Sequence, residues 1–184
     1  MFVRTDRLLL RPGWMEDAPA LAAAIGEARI VRNLATVPWP YGLADARAYL
    51  AQSAGALPSF LILARTAGKP RLIGGIGFGR TPDDEVELGY WIAGADWNRG
   101  YATEAGRAMI DLARKSLRLC RIVAGHFVDN PASGRVLEKL GFTATGERDL
   151  RRSAARGEDV AFQGFALDLC AKGCIHDEPE RMAA

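Results

Sequence analysis

The chain has 184 residues, of which 49% are hydrophobic and 25% are charged, and its formal net charge is +2. This length suits one filled core better than two, and the composition is that of an ordinary globular domain. The charge is too small to indicate a nucleic-acid-binding surface, and no apolar run approaches the ~20 residues that cross a bilayer. Three cysteines without a CxxC pair predict a reducing compartment and no structural disulfide. We therefore expect a single domain over residues 1–170, a polar tail over 171–184 and a cytoplasmic location.

Turn residues and apolar patterns divide the first half of the chain into segments. The order of these patterns predicts a strand over 2–11, then a helix over about 15–29 with Asp17 as its cap. A loop over 31–42 and a helix over about 43–54 follow. The next stretch, SFLILARTAGKPRLIGGIGFGRTPDDEVELGYWI, holds three apolar runs separated by the turn signals AGKP and TPDDE. It therefore predicts three strands joined as antiparallel hairpins.

The second half of the chain alternates between helical and strand patterns. Apolar residues recur at helical spacing after Gly100, which predicts an amphipathic helix. A strand over 120–128, a short helix over 131–140 and a strand around 160–168 follow. The arginine-rich run over 147–159 is typical of a solvated loop. Together the elements predict an α/β (mixed α+β) fold, with a central mixed, mostly antiparallel sheet and helices on both of its faces.

In the motif WNRGYATEA, Gly100 lies at the junction between a predicted strand and a predicted helix. Backbone N–H groups at a helix N-terminus, together with the helix dipole, bind anions, and a glycine lacks the Cβ that would block a phosphate. The motif therefore indicates a phosphate or pyrophosphate site. The alternative is that Gly100 is an ordinary loop glycine before a helix, with Asn98 tolerating an unusual φ; this alternative accounts for the same motif without a phosphate. Two rival phosphate motifs are absent: the chain has no GxxxxGK[ST], and GGIGFGRTP lacks the third glycine of GxGxxG.

Several motifs in order resemble the GNAT superfamily of acetyl-CoA-dependent N-acetyltransferases. They are TDRLLLRP, LIGGIGFG, ELGYWI, WNRGYATEA and NPASGRVLEKLGF, and the branch they resemble contains the ribosomal-protein N-terminal (alanine/serine) acetyltransferases and their small-molecule relatives. The resemblance implies the GNAT acyl-CoA N-acyltransferase fold, acetyl-CoA as cosubstrate and no metal. The family's pyrophosphate loop, Gln/Arg-x-x-Gly-x-Gly/Ala, matches at Gly100-Tyr101-Ala102. It departs at Trp97, and Asn98 stands where this branch usually has another glycine.

The resemblance also implies which residues hold coenzyme A. The pantetheine arm would lie along one strand and the pyrophosphate on the loop and helix start that follow, with the backbone N–H near Ile92 polarising the thioester carbonyl. The implied coenzyme A residues are Tyr90, Trp91, Ile92, Asn98, Arg99, Gly100, Tyr101, Ala102, Thr103 and Asn130. Asn130 is in addition a good N-cap for the short helix.

Two side chains are candidates for proton transfer. Many family members use a tyrosine in the short helix to protonate the leaving thiolate, but Leu137 stands at that position and cannot do so. In the resembled branch the serine of Asn-x-x-Ser takes this role, which here is Ser133, although a structural serine fits the pattern equally well. Glu87 falls where the branch often carries a strand glutamate facing the acceptor, and it would act as the base through water. Glu85 is interpreted as a solvated acid.

The acceptor, an amine on a protein N-terminus or on a small molecule, is not fixed by these residues. The segment VPWPY (37–41) would line its pocket or else pack into the core. The arginines of the run over 147–159 would meet an acidic acceptor or a phosphate, or else stay solvated; they are Arg148, Arg151, Arg152 and Arg156. A coenzyme A-binding sensor or scaffold without catalysis is the rival hypothesis. A nucleic-acid partner and a membrane partner are not expected, and a homodimer stays open.

Overall fold

The computed structural model of the chain describes residues 1–52, 55 and 57–170. Within those ranges one eight-stranded sheet has the spatial order β1-β2-β3-β4-β5-β6-β8-β7. Its strands are β1 (Val3–Arg4), β2 (Leu8–Arg11), β3 (Ser59–Ala64), β4 (Arg71–Arg80), β5 (Val86–Ile92), β6 (Arg121–Phe127), β7 (Thr143–Ser153) and β8 (Glu158–Asp168). Each neighbouring pair is antiparallel except β5 and β6, which are parallel. The predicted mixed, mostly antiparallel sheet is confirmed.

Helices cover both faces of this sheet, as predicted. They are α1 (Ala18–Ile25), α2 (Ala28–Val31), α3 (Leu43–Gln52), α4 (Tyr101–Lys115) and α5 (Pro131–Lys139). Successive side chains of a strand point to opposite faces, and β3 divides accordingly. Phe60 and Ile62 pack in the core that α4 and α5 cover, whereas Leu61 and Leu63 pack against α1 and α3. Full burial of one such side chain stabilises the fold by about 1.5–3 kcal/mol.

The N-terminal elements are shorter than predicted. The single strand expected over 2–11 is two strands, because the Thr5 N–H donates to the Leu8 carbonyl at 3.0 Å and closes a turn between them. The helix expected over about 15–29 is interrupted at Gly26, where a Cβ would lie 2.6 Å from the Ala22 carbonyl oxygen. The Asp17 side chain makes no capping hydrogen bond to α1. It accepts hydrogen bonds from the side chain of Arg11 and the backbone of Trp14 instead.

The prediction of a solvated loop over 147–159 is wrong. Most of these residues belong to β7 and β8, which form an antiparallel hairpin with Arg151 opposite Val160. Strand β7 lies at the edge of the sheet, and natural edge strands commonly carry charged residues that discourage pairing with other chains. The same charges hide the apolar alternation on which strand prediction depends.

The cysteine prediction is also wrong. Cys120 and Cys170 form a disulfide, with their Cα atoms 4.7 Å apart. Strand register brings them together, because β6 pairs with β8 from Arg121 opposite Asp168 and the cysteines lie just beyond that end. Cys174 lies outside the described residues. An odd cysteine count cannot show which two thiols a sheet register will bring side by side.

Candidate active site

A cleft opens between the two parallel strands at the centre of the sheet. Strands β5 and β6 pair at Glu87 and Val123, and beyond that pair residues of both strands line a cavity of about 570 Å³. Most of the rest of the wall comes from the segment before α4, the first turn of α4 and one side of α5. Single residues of α2, of the loop after it, of β7 and of β8 complete the wall; they are Ile30, Asn33, Ala35, Thr36, Arg151 and Phe162. Where the edge of β5 is not paired with β6, its backbone N–H and C=O groups can hydrogen-bond to an extended ligand.

The segment before α4 has the backbone of an anion-binding loop. Gly100 has φ 77° and Asn98 has φ 61°, both in the left-handed region, which favours glycine and tolerates asparagine. A Cβ added to Gly100 would have as its nearest neighbour the far end of Arg7, at 3.6 Å. Conformation, more than space, therefore requires glycine there. Helix α4 begins at Tyr101, and the first N–H groups of a helix have no partner within it.

A buried carboxylate anchors this loop to the sheet. Asp96 is 1% exposed, and its two oxygens accept hydrogen bonds from Arg71 at 2.7 and 2.8 Å. The Arg71 guanidinium holds the pKa of Asp96 below its ordinary value. The Trp97 indole N–H adds a hydrogen bond to the Ile92 carbonyl at 2.7 Å. No sequence signal pointed to Arg71 and Asp96, because their pairing spans 25 residues.

Ser133 is hydrogen-bonded to a partly buried tyrosine. Its Oγ lies 2.7 Å from the Tyr90 hydroxyl, which also donates to the Ser133 carbonyl at 3.1 Å. Burial raises the pKa of Tyr90 to about 12, although the hydrogen bond to Ser133 opposes the change. Tyr90 therefore keeps its proton at neutral pH. Leu137, one turn farther along α5, is fully buried in the core.

Glu87 is held by an arginine from the edge of the sheet. Arg151 of β7 donates to Glu87 Oε1 at 2.5 Å, and both side chains line the cleft. The Arg151 guanidinium also lies over the ring of Phe162, 3.7 Å from its centroid. The expected solvated position is correct for Glu85, which is half-exposed and pairs with Arg121. Val86 and Leu88 face the core on the opposite side of β5 from Glu87.

The cleft gathers most of the predicted site residues. The predicted residues that line it are Glu87, Ser133, Tyr90, Trp91, Ile92, Asn98, Gly100, Tyr101, Ala102, Thr103 and Asn130. Arg99 is not among them, since its carbonyl accepts a hydrogen bond from Arg7 and its guanidinium lies 3.5 Å from Asp96. Asn130 occupies the N-cap position of α5 but makes no side-chain capping hydrogen bond. The placement is compatible with the predicted roles, which stay predictions.

Other lining residues depart from the sequence prediction. Residues 37–41 do not line the cleft, whereas Asn33, Ala35 and Thr36 do. Val37 and Tyr41 pack instead against the small core that contains α2. His126 also lines the cleft, and its Nδ1 lies 2.8 Å from the Phe127 carbonyl oxygen. His176 lies outside the described residues.

One side of α5 contributes residues that the sequence reasoning missed. Ala132, Arg135, Val136 and Lys139 all line the cleft. They recur at helical spacing on the same face of α5, so this spacing was a signal that could have found them.

Comparison with known proteins decides the family. Residues 7–143 match the family model described as the acetyltransferase (GNAT) domain. The chain belongs to the GNAT acetyltransferase family. It is 31% identical over 156 residues to the uncharacterized N-acetyltransferase YoaA of Bacillus subtilis, a match that covers 78% of this chain and 84% of that protein.

Solved GNAT structures share the fold. The GNAT-family acetyltransferase from Bacillus anthracis has a TM-score of 0.78 and 25% identity, over 92% of this chain and 99% of that one. RimL, a ribosomal L7/L12 alpha-N-protein acetyltransferase solved in complex with coenzyme A, has a TM-score of 0.76 and 19% identity, over 92% of this chain and 98% of that one. The RimL match shows the fold alone.

The reaction class of this protein follows from its membership of the GNAT family. The protein is an acetyl-CoA-dependent N-acetyltransferase that acts on an amine acceptor. The helix N-terminus and the left-handed loop at Gly100 fit the pyrophosphate of that cosubstrate. Within the described ranges no helix is long and apolar enough to span a membrane. Nor does that part of the chain bring together three or more side chains able to hold a metal ion.

Proposed function

We propose that this GNAT enzyme transfers the acetyl group by direct attack of a primary amine on the thioester of acetyl-CoA. The acceptor is a protein N-terminus or a small-molecule amine. One observation carries the proposal: Glu87 and Ser133, a base candidate and an acid candidate, line the same cleft as the anion-binding loop at Gly100. A single bound cosubstrate can therefore extend from the loop to both groups.

The chain's own groups account for each proton. The C–N bond forms as the C–S bond breaks, the amine loses one proton and the thiolate gains one. Glu87 takes the proton of the amine through water, and Ser133 Oγ–H protonates the thiolate. Tyr90, whose pKa is about 12, retains its own proton and hydrogen-bonds Ser133 Oγ. This contact orients the Ser133 hydroxyl, and exchange with water between turnovers returns Glu87 and Ser133 to their starting protonation.

Backbone groups hold the cosubstrate in this proposal. The backbone groups of Tyr90, Trp91 and Ile92, at the end of β5 that does not pair with β6, hydrogen-bond to the pantetheine arm as they would to an added strand. The pyrophosphate lies on the N–H groups of the loop and of the first turn of α4, with Asn98, Arg99, Gly100, Tyr101, Ala102 and Thr103 around it and Asn130 across the cleft. Arg99 is set back from the cleft, and its contribution is therefore electrostatic.

The two acceptor classes have different support. The likeness in fold to RimL, an alpha-N-protein acetyltransferase, supports a protein N-terminus as the acceptor. A sensor or scaffold without catalysis has no support, since the relatives are named as N-acetyltransferases. A cytoplasmic location stays a prediction, and the cysteines no longer argue for it because Cys120 and Cys170 are joined.

A turnover screen tests the proposal. The purified enzyme is mixed with acetyl-CoA and with panels of primary amines and N-terminal peptides, and released thiol is measured together with the mass of the acetylated product. We expect at least one amine to release thiol in step with acetylated product. Acetyl-CoA that binds, seen as a rise in melting temperature, without thiol release from any amine would contradict direct transfer.

A further inference from the structure

We propose that the acceptor carries a carboxylate close to its amine and that Arg151 recognises this carboxylate. This inference rests on the proposed direct transfer, because it places the amine at Glu87. It narrows the acceptor from primary amines in general to molecules with the end group of a free amino acid.

Arg151 is held for recognition of a planar anion. Its guanidinium is stacked 3.7 Å from the centroid of the Phe162 ring, and one N–H of its Nη1 is used on Glu87 Oε1. A guanidinium has five N–H donors arranged to bind a carboxylate through two parallel hydrogen bonds. Stacking and the ion pair fix its orientation before a ligand arrives, which lowers the entropic cost of binding. The side chain lines the cleft and is 34% exposed.

The charges of the cleft favour an acceptor with an anionic group. Among the described residues that line the cleft, the acidic side chains are Glu87 and Asp96, and arginines already pair with both of them. Three basic side chains, Arg135, Lys139 and Arg151, line the same cleft. Arg135 and Lys139 belong to α5 and are available to the phosphates of the cosubstrate, so it is Arg151 of β7, the partner of Glu87, that favours an anionic acceptor. An acceptor with several ammonium groups, such as a polyamine, could place one of them on Glu87, but the other acid of this lining, Asp96, is buried and paired with Arg71. An acceptor with both signs of charge matches the Glu87–Arg151 pair.

The contact between Glu87 and Arg151 limits the length of the acceptor's end group. The two side chains are hydrogen-bonded to each other, so an ammonium on Glu87 and a carboxylate on Arg151 must be neighbours in the ligand. One or two carbon atoms between them satisfy this condition, as in α- and β-amino acids. A peptide N-terminus has a neutral carbonyl at that place and would leave Arg151 without its second anion.

Matched acceptors test the inference. Sets of three compounds with the same side chain are compared: the free amino acid, its carboxamide and the amine that lacks the carboxyl group. The kcat/KM is measured from thiol release at saturating acetyl-CoA. We expect the free acid to exceed both analogues by tenfold or more. The carboxamide has the less basic amine, which is more often neutral at pH 7, so an enzyme indifferent to the carboxylate would prefer the carboxamide.

Variants separate recognition from folding. In Arg151→Gln the preference for the free acid should disappear, and in Arg151→Lys it should survive in part, because a lysine keeps the charge but not the two-donor geometry. Arg152→Gln is the matched control. Arg152 is the next residue of β7, is 67% exposed and pairs with Asp159, so its loss should leave the preference unchanged. Melting temperatures of all three variants show whether each is folded.

The outcomes separate this inference from the proposed transfer. A wild-type enzyme that turns over carboxamides as well as free acids overturns the inference and leaves direct transfer standing. A preference that persists in a folded Arg151→Gln variant also overturns it. If no amine is turned over, direct transfer fails, and calorimetry with coenzyme A present then decides the inference. N-acetyl amino acids must bind at least tenfold tighter than their carboxamides, or recognition by Arg151 is refuted.

Discussion

The Tyr90 hydroxyl lies 2.7 Å from Ser133 Oγ and thereby joins β5 to α5 in the wall of the cleft. Because burial raises the pKa of Tyr90 to about 12, this tyrosine keeps its proton over the working range of most enzymes. In the proposed mechanism this pair supplies the proton for the leaving thiolate. It would take the role of the helix tyrosine that this chain lacks at Leu137.

Ser133→Ala should lose turnover while keeping its affinity for acetyl-CoA, because a proton donor acts mainly in the transition state. We expect a fall in kcat of about 10²–10⁴-fold, the usual contribution of general acid catalysis. Ser59→Ala is the matched control, since Ser59 forms a similar pair with Tyr49 at 2.9 Å outside the cleft. Wild-type kcat in Ser133→Ala would show that this serine is structural.

Gly100→Val should abolish most of the rise in melting temperature that coenzyme A causes by mass action. A β-branched residue strains the left-handed backbone at φ 77°, and the N–H groups after it would no longer converge. Gly146→Val controls for strain alone, because Gly146 has φ 84° and lies on β7 away from the cleft. An equal response to coenzyme A in both variants would place the pyrophosphate elsewhere.

Glu87→Gln should be slow at neutral pH and recover in part at high pH, where more of the acceptor amine is already neutral. In the wild-type enzyme the rate at saturating acetyl-CoA should fall as the pH drops, because the ionised carboxylate is the working form. Glu85→Gln is the control, since Glu85 precedes β5 and pairs with Arg121. An unchanged pH–rate profile in Glu87→Gln would mean that another group takes the proton.

Asp96→Asn should destabilise the fold by about 1–3 kcal/mol at pH 7, the cost of weakening buried hydrogen bonds to a charged group. Hydrogen bonds from Arg71 lower the pKa of Asp96 in the folded state, so its stabilising contribution is present above the unfolded pKa, about 3.9. It is lost as the pH falls through the folded value. The gap in melting temperature between wild type and Asp96→Asn should therefore narrow below about pH 4.

Asp111→Asn is the control for this pH series. Asp111 forms an exposed pair with Lys115 in α4, and such a pair contributes about 0.5 kcal/mol or less. A gap that stays constant down to acid pH in Asp96→Asn, or one as small as in Asp111→Asn, would show that the Arg71–Asp96 pair does not anchor the loop.

Local patterns predicted most of the residues that line the loop side of the cleft. Gly100 could be identified from the sequence because the left-handed backbone, the end of a strand and the start of a helix are all local properties. The two faces of β5 could be assigned for the same reason, since alternation alone puts Val86 and Leu88 in the core and Glu87 opposite them. Family resemblance added the candidate role of Ser133.

Tertiary structure alone decided what surrounds those residues. The sequence by itself determined an apolar pattern sufficient for one domain, the junction of strand, glycine and helix, and the family that its motifs resemble. The partners of the same residues lie 25 to 64 positions away: Asp96 binds Arg71, Tyr90 binds Ser133 and Glu87 binds Arg151. Strand order and register bring such residues together, and they depend on the burial of the whole sheet, which no local window of sequence records.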